Sequence, residues 1–153
     1  MRLASALGEK IVSKSSAETL GAFDGVVVDA TARAITAVRT GKGRKARLVS
    51  WDAISAFGPD AVVVTDDDSL RDPADDDEER WTDGTIDVIG ARVLSDRGNE
   101  HGTVADIEFD GESGALITIE TTVGAPVTAD RLRAAGSYAW VVVAADDEAT
   151  APL

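Results

Sequence analysis

Leu7-Gly8-Glu9-Lys10-Ile11-Val12 is answered by Ile89-Gly90-Ala91-Arg92-Val93-Leu94 at an offset of 82 residues. Working outward, Leu20-Gly21 and Val26-Val27-Val28-Asp29 correspond to His101-Gly102 and Ile107-Glu108-Phe109-Asp110 at an offset of 81. Gly58-Pro59-Asp60-Ala61-Val62-Val63-Val64 then corresponds to Gly136-Ser137-Tyr138-Ala139-Trp140-Val141-Val142 at an offset of 78. Offsets that shrink only inside turns mean one β-module written twice, and a repeat of this kind decides the fold before any single element is assigned.

Each copy reads as a series of short strands. In the first, Lys10–Ser13, Gly21–Asp29, Ile35–Thr40, Arg47–Val49 and Ala61–Thr65 are apolar or alternating runs bounded by turn residues. Ser50 to Ile54 reads as one helical turn with Ser50 as N-cap. The second copy repeats the order with Ala91–Ser95, Gly102–Asp110, Ala115–Thr121, Pro126-Val127, a helical turn near Asp130–Leu132, and Tyr138–Ala145. Asp110-Gly111-Glu112-Ser113-Gly114 is the clearest hairpin turn, since glycine supplies positive φ cheaply. The expected fold class is all-β: two tandem small β-barrels, each with one helical turn, because closure removes exposed strand edges. The expected divisions are residues 1–65, an acidic linker 66–82, residues 83–145, and a frayed tail 146–153. The core candidates are Val26, Val28, Ile35, Ile54, Val62, Ile107, Phe109, Ile117 and Val142.

The chain has 153 residues, no cysteine and a net charge of −13. Disulfides and cysteine nucleophiles are therefore excluded. Residues 1–65 carry a net +3, residues 66–80 a net −7 and residues 81–153 a net −9. Overall acidity makes nucleic acid an unlikely partner, because a phosphate backbone needs a basic face. No apolar stretch approaches the length of a membrane span, and no signal-peptide pattern opens the chain, so the expectation is a cytoplasmic protein without membrane insertion. Asp66 to Arg80 is a like-charge block, expected to be an extended or mobile spacer.

Both copies resemble PRC-barrel domains, the module of the cytoplasmic part of the photosynthetic reaction centre H subunit and of the C-terminal end of the ribosome maturation factor RimM. The resemblance rests on the hydrophobic-Gly-x-x-hydrophobic openings (Leu7 to Ile11; Ile89 to Val93), on Leu20 to Asp29 and His101 to Asp110, and on Trp51 to Val64. The first copy has Ala30-Thr31-Ala32-Arg33 where the second keeps Gly111 and Gly114, and the second has no counterpart of Trp51. The resemblance implies a β-barrel fold and, by analogy to RimM, an RNA- or ribosome-associated alternative, and is almost silent on chemistry.

Motifs for chemistry are scarce. His101 is the only histidine and brings no partner pattern of a general base or metal site. The Asp-rich block lacks the glycine and ligand spacing of a calcium loop, and no nucleophile elbow, GxGxxG or P-loop occurs. Neither a cofactor nor enzymatic activity is expected. Lys42, Arg44, Lys45 and Arg47, with Arg39, form a basic hairpin in an acidic chain, open to three readings: a solvated turn, a dock for the acidic linker or an acidic partner, or an RNA contact. Trp81 follows the acid block without a repeat-mate and is expected to pack between the copies. The candidate interaction surface is thus Arg39, Lys42, Arg44, Lys45, Arg47 and Trp81. The expected function is a non-enzymatic protein–protein interaction or assembly module, homodimerisation included, with an RNA- or ribosome-associated factor as the alternative.

Overall fold

The computed structural model describes residues 1–41 and 43–145. Short strands dominate: β1 (Lys10–Ser13), β2 (Thr19–Ala22), β3 (Gly25–Asp29), β4 (Ala34–Thr40), β5 (Arg47–Ser50), β6 (Ile54–Phe57) and β7 (Ala61–Val64) in the first repeat. Then come β8 (Leu70–Arg71), β9 (Arg92–Ser95), β10 (Glu100–Phe109), β11 (Leu116–Thr121), β12 (Val127–Thr128), β13 (Leu132–Ala135) and β14 (Trp140–Val142). The two α-helices, α1 (Leu3–Ala6) and α2 (Asp76–Thr82), are short, so the protein is all-β. A 3-10 turn occupies Trp51–Ala53 in the first repeat and Ala129–Arg131 in the second. Ser50 stands at the N-cap position of the first, but its side chain makes no cap bond; its hydroxyl accepts from Arg71 Nε at 2.8 Å.

Strand pairing repeats almost residue for residue. β1 runs parallel to β7 with Ile11 opposite Val62, and β9 runs parallel to β14 with Val93 opposite Trp140. β3 and β4 pair Val26 with Val38, and β10 and β11 pair Ile107 with Ile119. Where the first repeat breaks the run Gly21–Asp29 into β2 and β3, the second keeps a single bent strand, β10. The hydrogen-bonded ladders form three sheets, ordered β2-β1-β7-β6, β3-β4-β5-β8 and β12-β11-β10-β9-β14-β13. The sequence suggests closed barrels; among the described residues each ladder instead ends at open edges. β12 is held to two residues because Pro126 stands where β5 has Leu48, and proline has no N–H to donate.

The two repeats meet around an approximate two-fold axis. Ala34 and its equivalent Ala115 form an antiparallel bridge with each other, with Ile35 N–H donating to Gly114 O at 2.8 Å and Leu116 N–H to Arg33 O at 2.9 Å. Phe109 packs edge-on against Phe57 (5.3 Å between centroids) and Trp51 (6.3 Å), so aromatic rings of both repeats share one core.

Eight of the nine core candidates lie in or against that core: seven are buried, and Ile54 is half-buried against it. Ile117 is the exception, 46% exposed, while Leu116 and Ile119 are buried. The cause is a bulge: Phe109 pairs with Leu116 and Glu108 with Thr118, so Ile117 is skipped and turned outward. The same bulge skips Thr36 in the first repeat, where the exposed position is polar.

Candidate interaction surface

The acidic block 66–82 is ordered, against the expectation of an extended spacer. Asp66 and Ser69 form a reciprocal capping box around a 3-10 turn, and β8 then adds to β5 with Leu48 opposite Arg71. Asp75 caps α2 by accepting from Glu78 N–H at 2.8 Å, and the acidic first turn complements the partial positive charge of the helix start. Arg71 reaches both carboxylate oxygens of Glu78 at 2.8 Å. That pairing holds the Glu78 carboxyl below the ordinary glutamate range, against a smaller opposing effect of burial. Like charges packed in sequence are thus separated in space by a cap, a helix face and an arginine fork.

Trp81, at the end of α2, is buried and lies edge-on to Trp140 of the second repeat at 6.3 Å. Its carbonyl accepts from Arg39 Nη1 of the first repeat at 2.9 Å, so this residue does sit between the copies. Burial removes Trp81 from any exposed surface. Arg39 is likewise not a surface residue: only 2% exposed, it donates from Nη2 to Asp24 O at 2.8 Å. Gly25 makes room for it, since a Cβ there would stand 2.7 Å from Arg39 Nη2. On the other side of the axis the equivalents are Asp106 and Glu120, which anchor the N-terminal segment instead. Asp106 Oδ1 accepts from Ala4 N–H at 2.9 Å and Glu120 pairs with Arg2. Each repeat therefore clamps the segment that leads into the other.

Of the remaining basic residues, Arg47 Nε lies 3.1 Å from Asp72 Oδ1, a pair by distance without hydrogen-bond alignment, and Arg47 Nη2 donates to Leu70 O at 3.2 Å. Arg44 and Lys45 are exposed. Arg44 lines a cleft of about 420 Å³ that faces Asp72, Glu79 and Asp83. Lys42 lies outside the described residues. The six candidates are thus not one patch: two are interior struts, one is paired to the acidic segment, and two remain at the surface.

The open edges define surfaces that the sequence did not single out. A groove of about 520 Å³ runs beside β6, lined by Trp51, Ile54–Phe57, Gly111 and Glu112. Trp51 and Phe57 stack there at 6.0 Å, and Trp51 Nε1 donates to Glu112 O at 3.2 Å. On the second repeat, exposed Tyr138 carries the Arg92 guanidinium over its ring at 5.0 Å, and Arg92 pairs with Glu100 at 3.0 Å. His101 is half-buried within β10. Among the described residues, no three carboxylates or histidines cluster so as to hold a metal ion, and no helix is long and apolar enough to cross a membrane. No protein-family model matches the sequence, and no curated protein is significantly similar to it.

Proposed function

We propose that the chain is a non-enzymatic interaction or assembly module of the cytoplasm, built from two PRC-barrel-like repeats that dock a protein partner. The PRC-barrel likeness is supported by the repeated strand order and by the glycines at equivalent turns, Gly8 with Gly90 and Gly21 with Gly102. The observation that carries the docking role is the pair of equivalent strand edges, β6 and β13. The same framework presents both edges, and their surroundings differ: Trp51, Phe57 and a single carboxylate, Glu112, beside β6; several carboxylates, Arg133 and Trp81 beside β13. A rigid scaffold with a free sheet edge supplies backbone hydrogen bonds, and the lining side chains select the occupant. The RNA-binding alternative draws less support, because Arg39 is buried and Arg47 faces Asp72. Affinity capture from lysate at low and physiological salt tests the reading. A discrete protein partner supports it, whereas nuclease-sensitive co-sedimentation with ribosomal subunits overturns it.

A further inference from the structure

The repeat equivalence relates two grooves that differ in what fills them. Residues 55–57 of the β6 groove match residues 133–135 beside β13, and Gly111-Glu112 match Ala30-Thr31. At β13 the chain supplies its own occupants. α2 flanks that groove with Asp77, Glu78 and Trp81, and Arg33 lays its guanidinium on the strand, Nε donating to Leu132 O at 3.2 Å. At β6 the residue equivalent to Arg33 is Gly114, which has no side chain; the Trp51 ring stands over it, 3.0 Å from where a Cβ would lie. There, half-buried Trp51 forms an aromatic wall, backed by the buried Phe57 ring, and Glu112 an acidic rim.

We propose that the β6 groove binds an extended, arginine-bearing segment of a partner protein, which adds as a strand to the free edge of β6. The guanidinium reaches the Glu112 carboxylate, and the aliphatic stem of the arginine lies along Trp51. This inference rests on the interaction-module reading above and names its site and partner chemistry. Three observations select this occupant. Arg33 shows within the same molecule that the equivalent edge accommodates a guanidinium. Glu112 lines the groove, and Asp110, whose carboxylate accepts from Glu112 N–H at 2.7 Å, adds negative charge beside that rim, which favours a cationic segment. A second copy of the chain would bring another −13 of charge to that acidic rim. Apolar stems of arginine cover aromatic surface while keeping the charge wet, which suits a groove with an aromatic wall and a carboxylate rim.

Fluorescence anisotropy with a labelled hexapeptide of alternating valine and arginine tests the site. Wild-type protein is expected to bind it saturably, and Glu112→Lys to weaken binding at least about tenfold. Asp77→Lys makes the same charge change beside β13 and should alter binding by no more than about twofold. Methylating alternate peptide nitrogens keeps the charge but removes edge hydrogen bonds, and is expected to weaken binding at least about tenfold. Equal weakening by the two lysine variants, undiminished binding of the methylated peptide, or no saturable binding overturns the proposal. If a partner captured by the wild type is retained in full by Glu112→Lys, the β6 site falls while the interaction-module reading stands; capture of no partner by either removes both.

Discussion

At the residue scale, the repeat makes each half a control for the other. Arg33 holds φ +54° where its equivalent Gly114 holds +79°, and Ala17 holds +59° where Gly98 holds +84°. Asp29 and Asp110 support the two hairpins identically, each carboxylate accepting from two backbone N–H groups. That support explains how the first hairpin forms without glycine. Gly114 is not replaceable in turn, since a Cβ there would lie 2.9 Å from Ile35 O and 3.0 Å from the Trp51 ring. Ala17 has no such support from its own side chain, so Ala17→Gly should stabilise the protein by about 0.5–1 kcal/mol, the left-handed penalty relieved less the entropy glycine adds. A denaturant midpoint no higher than wild type would contradict this. Glu9 offers a second residue-scale test. Its Oε2 is buried without a hydrogen-bond partner among the described residues, and its equivalent is Ala91. Burial, helped by Asp60, pushes the Glu9 carboxyl above the ordinary glutamate range. A carboxyl raised on folding contributes stability only while protonated, and that contribution is lost as pH rises through the folded value. Glu9→Ala should therefore raise the melting temperature at pH 7, and the gain should shrink as pH falls into the ordinary glutamate range. A gain independent of pH would point away from the carboxyl's charge. None of these strained positions was legible in the sequence, because φ depends on the hairpin geometry rather than on residue type alone.

At the element scale, strands were readable where apolar alternation was strong and misread where a bulge or a charge pattern intervened. β1 is found over the expected residues, whereas the half-exposed edge strands β6 and β13 carry no clear alternation and escaped notice. Period-2 counting puts Ile117 in the core because it does not foresee a bulge. Its repeat-mate Thr36 is the signal that could have shown the register. Ile117→Thr should accordingly leave stability within about 0.5 kcal/mol of wild type, while Ile119→Ala should cost about 2–5 kcal/mol. Equal losses in chemical denaturation would reverse this assignment. The acidic segment is ordered although its charge pattern suggests a spacer, because net charge says nothing about pairing. α2 was signalled by Asp75 as N-cap and by the run of carboxylates in its first turn, with Trp81 as its buried anchor. Its grip is pH-dependent. Arg71 depresses the Glu78 carboxyl, so the pair contributes fully above the ordinary glutamate range and is lost as pH falls through the depressed value. Hydrogen exchange at residues 76–82 should quicken on acidification relative to the core strands. Glu78→Gln should show the fast exchange already at neutral pH. Protection that does not change across that pH range in wild type would leave Trp81 and Arg39 as the anchors that hold the segment.

At the scale of the whole molecule, the question is whether the repeats behave as two bodies or one. Opposite net charges on the first repeat and the rest of the chain suggest ionic docking, sensitive to salt. The contacts across the axis are of another kind. Phe57, Trp51 and Phe109 make an aromatic cluster, Trp81 packs on Trp140, and Ala34 and Ala115 are bridged by backbone. The ionic contacts that Arg2 makes across the axis, with Glu120 and Asp106, involve a half-exposed arginine and are screened by water and salt. Units this small bury only about 60% of their unfolded surface alone, so a shared core adds burial that neither has in isolation. The legible repeat therefore gave the architecture, while the nature of the joint between the copies depended on which faces the bulges and turns brought together. Two consequences follow for the intact chain. Small-angle scattering should be nearly unchanged from low salt to well above 0.15 M, where the Debye length is about 8 Å, because apolar contacts are not screened. Calorimetry should show one cooperative transition, and Phe109→Ala, which removes a ring common to both repeats, should cost about 3–5 kcal/mol. Because Phe109 touches residues of both copies, that loss should move the whole transition rather than split it. Two resolved transitions in the wild type, or expansion with rising salt, would show that the repeats are held by charge and fold independently.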